Sequence, residues 1–252
     1  MEQQKFTRQS PHPVLKHYYQ NETERRQRVD ALFNASASHY DWITDVMSFG
    51  SGRWYRNDAL KRNGCQIGTR LLDVGAGTGV ISICAQNIVG DQGEVIALDP
   101  SEGMVHEAVK RGVQKATLGL GEALPFPDDY FDLLTMGYAL RHVTDLHTTF
   151  EEYLRVLKPG GKVLILEISK PSSPVFATML KFYLKGIIPN LARIFRRSVD
   201  AKILMQYYWD TIDNCVPPER IVQVLGEAGF SDASRHVIFG IFSEYTGTKE
   251  VK

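Results

Sequence analysis

The segment LLDVGAGTGV, residues 71–80, places three glycines within five positions directly after a short apolar run. Glycine lets the backbone turn sharply, and it lets a ligand lie against main-chain N–H groups that a side chain would otherwise cover. Gly75, Gly77 and Gly79 therefore predict a ligand loop between a strand and a helix, with Asp73 just before it. An ordinary strand-to-helix turn is the alternative interpretation.

The spacing of the glycines narrows the class of ligand. Dinucleotide-binding loops use G-x-G-x-x-G and phosphate-binding P-loops need G-K-[ST], whereas this loop reads G-x-G-x-G. A second apolar run ends in Asp99, 20 residues after Gly79, where a carboxylate can bind both hydroxyls of a ribose. These features favour S-adenosylmethionine, with its aminocarboxypropyl arm over the glycines and its ribose at Asp99.

The elements around these residues alternate between strands and helices. Such alternation predicts an α/β fold, a Rossmann-like doubly wound and mostly parallel sheet with helices on both faces. We expect a strand from about Phe131 to Gly137, a helix capped by Ser101, another capped by Thr144 or Asp145, and a closing hairpin that bends near Gly240.

We predict a single domain over residues 1–252, with residues 1–62 as an N-terminal helical cover and residues 172–204 as an inserted helical lid. The stretch around the insertion holds six basic residues against one acidic residue. A solvated helix face would explain these charges. A lid over an apolar pocket would also use the apolar side chains available there: Phe176, Met179, Phe182, Tyr183, Ile187 and Leu191.

Composition excludes several other classes of protein. The 252 residues contain 29 Lys+Arg and 29 Asp+Glu, so no excess positive charge favours a nucleic-acid partner. Three scattered cysteines indicate neither a disulfide framework nor a zinc site. A polar N-terminus and the lack of a long apolar run lead us to expect a cytoplasmic enzyme.

Four longer stretches resemble one enzyme family. They are HYDWITDVMSFGSGRWYR (39–56), GEALPFPDDYFDLLTMGYALRHVTD (121–145), LRVLKPGGKVLILEISKP (154–171) and YYWDTIDNCVPPERIVQVLGEAGF (207–230). On them the sequence resembles the class I S-adenosylmethionine-dependent methyltransferases, and within these the ubiquinone/menaquinone biosynthesis C-methyltransferase family and its secondary-metabolite relatives. The similarity covers almost the whole chain. Members of this family methylate a ring carbon of a polyprenyl hydroquinone, and their relatives methylate carbon, oxygen or nitrogen of other small molecules.

The resemblance implies a donor site and a reaction centre. It places the reaction centre at Tyr40, Arg141 and His142. It places contacts to S-adenosylmethionine at several positions, to which the glycine loop itself adds Gly77: Asp73, Gly75, Thr78, Asp99, Gly121 and Gly137.

Three positions depart from the family pattern. His142 stands where the family has asparagine, which opens methylation of oxygen or nitrogen as an alternative to methylation of carbon. Leu120 stands where a polar residue is expected to meet the adenine amino group, so the adenine would rest on the backbone N–H of Gly121 and on apolar packing. Gly52 replaces a histidine at the end of a helix.

Methyl transfer requires that the donor and the acceptor are positioned next to each other, that water is excluded from them, and that the nucleophile is deprotonated. His142 is suited to act as general base, Arg141 to hold an anion, and Tyr40 to contact the acceptor or close over the donor. Each has a structural alternative: a helix cap or loop packing for His142, a salt bridge for Arg141, and helix packing for Tyr40. His142, Asp145 and His147 have a ligand-like spacing, but we predict no metal.

The sequence thus predicts an S-adenosylmethionine-dependent methyltransferase of an apolar aromatic or quinol-like small molecule, with C-methylation of a prenyl quinol ring favoured. An O- or N-methyltransferase of a specialised metabolite, with His142 as base, is the alternative. An NAD-dependent oxidoreductase is disfavoured by the glycine spacing. We expect no nucleic-acid partner and a peripheral membrane contact through the basic segment 181–202, and a homodimer stays open.

Overall fold

The structure is a computed structural model that describes residues 8–21, 23–34, 52–190 and 200–251. The described residues form one seven-stranded sheet in the order β3-β2-β1-β4-β5-β7-β6. Strands β1 to β5 run parallel, and β7 and β6 close the sheet as an antiparallel pair. The strands are β1 Arg70–Val74, β2 Glu94–Asp99, β3 Ala116–Leu118, β4 Phe131–Gly137, β5 Leu157–Ile168, β6 Phe230–Ile238 and β7 Phe242–Lys249.

Helices connect the strands and cover both faces of the sheet. They are α1 (residues 23–34), α2 Gly52–Arg62, α3 Val80–Val89, α4 Glu102–Lys110, α5 Leu146–Val156, α6 Pro174–Phe182, α7 Asp200–Asp213 and α8 Pro218–Glu227. A 3₁₀ turn, Leu140–His142, follows β4, and a π-helical turn, Tyr183–Ile187, continues α6. The predicted Rossmann-like α/β fold is confirmed.

Alternation along the central strands builds two cores from one sheet. In β4, Leu134 and Met136 pack with α5 and α8, whereas Leu133 packs on the opposite face with α2 and α3. Successive side chains of a strand point to opposite faces, so a strand covered on both sides is apolar throughout. This explains why the neighbouring residues Leu133 and Leu134 of β4 are both apolar.

Local signals in the sequence marked several element ends correctly. The Ser101 side chain accepts a hydrogen bond from Met104 N at the start of α4, and Asp145 accepts one from Thr148 N at the start of α5. Gly240 lies in the β6–β7 turn with φ 73°. These predictions are confirmed, as are the bounds of β4.

The N-terminal segment docks on the start of helix α5 and on the loop before α8 through hydrogen bonds of its backbone. Gln9 N donates to Asp145 Oδ1 at 2.7 Å, Leu146 N donates to Gln9 O at 2.9 Å, and Val216 N donates to Pro11 O at 2.8 Å. Helix α1 follows and packs against the insertion. Apolar side chains of α1, α6, the π-helical turn and α7 share one cluster. In the described part of the chain, none of the helices has the length and apolar character needed to cross a bilayer.

Candidate active site

The three loop glycines have different surroundings although all have left-handed φ angles of 56° to 79°. A Cβ on Gly79 would lie 2.3 Å from Val113 Cγ2, and one on Gly75 would lie 2.6 Å from Ala139 Cβ. A Cβ on Gly77 would meet no atom within 4 Å. Gly79 is therefore required for packing, whereas Gly77 leaves the main chain open to a ligand.

Asp73 lies beneath this loop and is fully buried. Its Oδ2 accepts a hydrogen bond from Ser82 Oγ at 2.6 Å, and its Oδ1 accepts one from Thr135 Oγ1 at 2.9 Å. Burial raises the pKa of Asp73 to about 6, against the lowering effect of these hydrogen bonds. The carboxyl group thus ties β1 to α3 and β4 and supports the loop from below.

Asp99 ends β2 beside the glycine loop. Gly77 N donates to Asp99 Oδ2 at 2.8 Å, and Ser101 N donates to Oδ1 at 2.9 Å. Burial raises the pKa of Asp99 to about 6, although the two N–H groups favour its ionised form. The carboxylate is held in one orientation next to the open backbone of Gly77.

A cavity of about 80 Å³ opens on the same edge of the sheet. Gly75, Leu120, Gly121 and His142 line it, together with residues of helix α1 on the opposite side. Ligand pockets usually have at least about 300 Å³. The cavity must therefore widen to admit a nucleoside-sized ligand, and α1 forms the wall that covers it.

Two further predicted donor residues lie near the loop without lining the cavity. Thr78 is buried, and its Oγ1 accepts a hydrogen bond from Arg111 Nη1 at 3.1 Å. Gly137 ends β4, where a Cβ would lie 2.3 Å from Ile81 Cδ1. Both residues fix how α3 and α4 sit against the sheet.

His142 has an aromatic environment. Its Nδ1 lies 3.2 Å from Tyr207 Oη, and the two rings stack with an interplanar angle of 20° and a centroid distance of 5.5 Å. The edge of Phe33 packs on the imidazole at 5.1 Å. Burial, together with the positive charges of Arg141 and Arg25, holds the pKa of His142 well below its usual value, so the ring is neutral at pH 7.

Arg141 points away from His142 and its cavity. Its Nε donates to Glu167 Oε2 at 2.8 Å, and its Nη1 donates to Thr211 Oγ1 at 2.6 Å. The side chains of Arg141 and Glu167 are both almost fully buried. Arg141 and Glu167 line a different cavity of about 210 Å³. The structure thus separates the two predicted reaction-centre side chains, and Tyr40 lies outside the described residues.

The potential metal ligands of the HVTDLH segment have separate partners. Asp145 caps α5, as described above, and His147 Nε2 lies 3.2 Å from Glu227 Oε2. His142 faces Tyr207. The ligand-like spacing in the sequence does not bring these three side chains onto one point.

Patterns in the sequence did not identify the residues that helices α1 and α7 contribute. Arg25, Arg26, Val29 and Asp30 of α1 line the cavity, and Tyr207 of α7 contacts His142. Arg25 Nη2 donates to the carbonyl oxygens of Arg141 and Val143 at 3.0 and 3.2 Å. No short-range spacing connects α1 with residues more than 100 positions later, although the adjacent tyrosines Tyr207 and Tyr208 of α7 were a usable signal.

Comparison with known proteins identifies the family. A model of the ubiE/COQ5 methyltransferase family matches residues 21–249. The chain belongs to this family. The ubiquinone/menaquinone biosynthesis C-methyltransferase UbiE of Shewanella piezotolerans is 31% identical over 248 residues, which cover 94% of this chain and 98% of the relative. A demethylmenaquinone methyltransferase of Anoxybacillus flavithermus is 36% identical over 234 residues, which cover 89% of this chain and 97% of the relative.

A solved structure shows the same fold. The crystal structure of a SAM-dependent methyltransferase from Aquifex aeolicus superposes with a TM-score of 0.57 at 20% identity, covering 77% of this chain and 88% of that one. As a member of the ubiE/COQ5 family, the chain is an S-adenosylmethionine-dependent methyltransferase. The predicted enzyme class and methyl donor are confirmed, and the NAD-dependent oxidoreductase is not favoured.

The residues at the sheet edge fit this donor. The uncovered main chain at Gly77 lies within hydrogen-bond distance of the Asp99 carboxylate, so an amino acid arm and a ribose can bind side by side. Leu120 and Gly121 line the cavity beyond them. An apolar side chain and a glycine suit the flat face of an adenine. The ubiE/COQ5-family donor site is therefore compatible with the side chains present here.

Proposed function

We propose that this protein methylates a ring carbon of an apolar, quinol-like small molecule. The observation that carries the proposal is that the glycine loop and a neutral histidine line one cavity. A methyl donor and a proton acceptor can then act on the same molecule. The two relatives bear names that refer to ubiquinone and menaquinone biosynthesis and to demethylmenaquinone, which supports a quinol as acceptor.

On the donor side, we assign roles by position. Asp99 accepts hydrogen bonds from the ribose hydroxyls, and the backbone at Gly75 and Gly77 faces the amino acid arm. Leu120 and Gly121 pack on the adenine. When bound, the donor supplies an electrophilic methyl group on a sulfonium. Asp73, Thr78 and Gly137 act through the loop, because their contacts hold α3 and α4 on the sheet.

At the site of the methyl acceptor, His142 takes up the proton. A hydroquinol ring carbon becomes strongly nucleophilic when a ring hydroxyl loses its proton, and a neutral imidazole can take that proton. Arg141 stays bound to Glu167, and its positive charge adds to the effect of burial in lowering the pKa of His142. Tyr40 is retained as a contact to the acceptor on the resemblance alone.

The experiment combines product analysis with donor binding. The purified protein is incubated with S-adenosylmethionine and a short-chain demethylmenaquinol, and mass spectrometry and NMR identify the methylated atom. We expect one added methyl group on the ring carbon. In His142→Asn, turnover should fall by about 100-fold or more because a general base is lost, while calorimetric binding of S-adenosylhomocysteine is unchanged. His106→Asn, on helix α4, is the matched control. Methylation on oxygen would contradict the ring-carbon proposal, and full turnover of His142→Asn would contradict the role of His142 as proton acceptor.

We further propose that helix α6 rests on a membrane surface, from which a lipid-soluble acceptor would be drawn. Val175, Phe176, Met179 and Phe182 are each at least 60% exposed, and their spacing places them on one side of the helix. Basic residues follow in the same insertion. An apolar helix face beside positive charge is typical of helices that bind anionic bilayers.

Vesicle binding tests this contact. The protein should co-sediment with vesicles containing phosphatidylglycerol more than with pure phosphatidylcholine. Phe176→Ser/Phe182→Ser should weaken this binding about 10-fold or more, because each phenylalanine gains roughly 1.5–3 kcal/mol on burial. Val109→Ser, an exposed apolar position on α4, serves as control. Equal binding of the double variant and the wild type would refute the assignment.

A further inference from the structure

Tyr207 and His142 form a close polar pair, and which of the two groups donates the hydrogen bond depends on the tautomer of the imidazole. Tyr207 lies on α7 with only 1% of its surface exposed, and its hydroxyl is 3.2 Å from His142 Nδ1. A neutral imidazole carries one proton, on Nδ1 or on Nε2. Only the Nδ1–H form leaves a lone pair on Nε2, and Nε2 needs that lone pair to take a proton from the molecule that is methylated.

The surroundings of the imidazole favour the Nδ1–H form. An Nε2–H form would bury an N–H donor for which the described residues offer no acceptor, whereas the Nδ1–H form places its donor 3.2 Å from Tyr207 Oη. A tyrosine hydroxyl oxygen carries lone pairs and can accept a hydrogen bond. Tyr207 Oη then accepts from His142 Nδ1–H.

The second ring nitrogen is left for the acceptor. Within the described part of the chain, His142 Nε2 has no hydrogen-bond partner. The His142 ring lines the cavity that the glycine loop also lines. The Tyr207 hydroxyl contacts the Nδ1 edge of the imidazole, and the Tyr207 ring stacks on the face of the imidazole. The ring is therefore positioned from helix α7, and not from the sheet that carries the donor loop.

We propose that Tyr207 is a positioning residue that accepts the Nδ1–H hydrogen bond of His142 and so keeps Nε2 free to take the hydroxyl proton of the methyl acceptor. This inference rests on the proposed function of His142. The hydroxyl proton passes to Nε2 and returns to the same oxygen when the ring C–H proton leaves to solvent. The net change replaces a ring C–H by C–CH₃ and releases one proton with the neutral thioether product.

The tautomer can be measured without any substrate. The chain has 7 histidines, and His142→Asn assigns the His142 signals in ¹⁵N-histidine-labelled protein. We expect the wild type to show a protonated Nδ1 and an unprotonated Nε2. Tyr207→Phe should shift this population towards Nε2–H. Tyr18→Phe is the matched control, because Tyr18 packs edge-on against Tyr207 but donates its hydroxyl to Asp210. An Nε2–H wild type would overturn the proposal.

Turnover supplies the second measurement. Tyr207→Phe should lower kcat about 10- to 100-fold, part of the usual contribution of a general base, while S-adenosylhomocysteine binding stays unchanged and confirms folding. In a His142→Asn background, Tyr207→Phe should cause no further loss, because both residues act through one proton transfer. Additive losses would show a structural role only. If the wild type does not methylate the quinol, the proposed function fails, while the tautomer still decides the role of Tyr207.

Discussion

The second and third glycines of G-x-G-x-G provide a direct test of why the loop has no side chains. Gly77 and Gly79 share left-handed φ angles of 56° and 79°, so alanine at either position carries a similar backbone strain. They differ in what the new Cβ would meet. At Gly79 it would lie 2.3 Å from Val113 Cγ2 and 3.3 Å from Ala108 Cβ, and at Gly77 it would meet no atom within 4 Å.

These distances set the expected magnitudes. Left-handed backbone costs an L-residue roughly 1–2 kcal/mol, and overpacking a buried site adds about 1–3 kcal/mol. Val113 is buried and β-branched, so it cannot turn aside easily. We expect Gly79→Ala to lose about 2–5 kcal/mol of stability, and Gly77→Ala only about 1–2 kcal/mol.

Ligand binding should show the opposite order. The Cβ of Gly77→Ala would occupy the space where the donor lies against the main chain, so its affinity for S-adenosylhomocysteine should fall at least about 10-fold, or 1.4 kcal/mol. Folded Gly79→Ala should bind within about threefold of the wild type, a difference below 1 kcal/mol. Urea unfolding followed by circular dichroism measures stability, and calorimetry measures binding. Normal donor affinity in Gly77→Ala would refute the assignment of the ligand to this loop.

Three further outcomes follow from single buried groups. Arg141→Met leaves the Glu167 carboxylate buried without its partner and should cost about 3–5 kcal/mol of stability in urea unfolding, whereas Arg141→Met/Glu167→Leu should recover most of it; no recovery would contradict this. Burial raises the pKa of Asp73 to about 6, so folding favours the protonated carboxyl, and its contribution to the free energy of unfolding is present below pH 4 and is lost as pH rises through about 6. Asp73→Asn cannot ionise and should therefore gain stability relative to the wild type between pH 4 and 7, as measured by urea unfolding across that range. Leu120→Asn should tighten S-adenosylhomocysteine binding about 2- to 10-fold in calorimetry by adding one hydrogen bond to the adenine, and weaker binding would place the adenine elsewhere.

Local patterns in the sequence were sufficient for most elements of the sheet. The bounds of β4 follow from a mostly apolar stretch between turn residues, and the caps Ser101 and Asp145 precede periodic helical segments. Strand β3, Ala116–Leu118, went unnoticed because three residues, one of them polar, form no distinct pattern. The loop glycines were identified together as a ligand site, but their separate roles depend on neighbours far away in the chain, such as Val113.

The relation between Arg141 and His142 shows a limit of reasoning from adjacent positions. The two residues were predicted to act together because they are neighbours in the sequence. They lie in a 3₁₀ turn, where three residues complete one turn and successive side chains point about 120° apart. One side chain therefore reaches Glu167 at the end of β5, while the other reaches Tyr207 on α7. Spacing alone does not reveal this divergence, since it depends on the turn type that follows β4.

The residues for the methyl donor and the residues around the proton acceptor lie on different parts of the fold, the former on the sheet and the latter on helices α1 and α7. The carboxyl ends of β1 and β2 hold the donor residues, whereas His142 is packed by Phe33 of α1 and Tyr207 of α7. Because α1 lines the 80 Å³ cavity and Phe33 of α1 packs on His142, a movement of α1 that widened the cavity for the donor would also change the packing around His142. Water would then reach the imidazole, and the desolvation that lowers its pKa would weaken. The strength of the base would therefore change with the position of α1, which would couple donor binding to proton transfer.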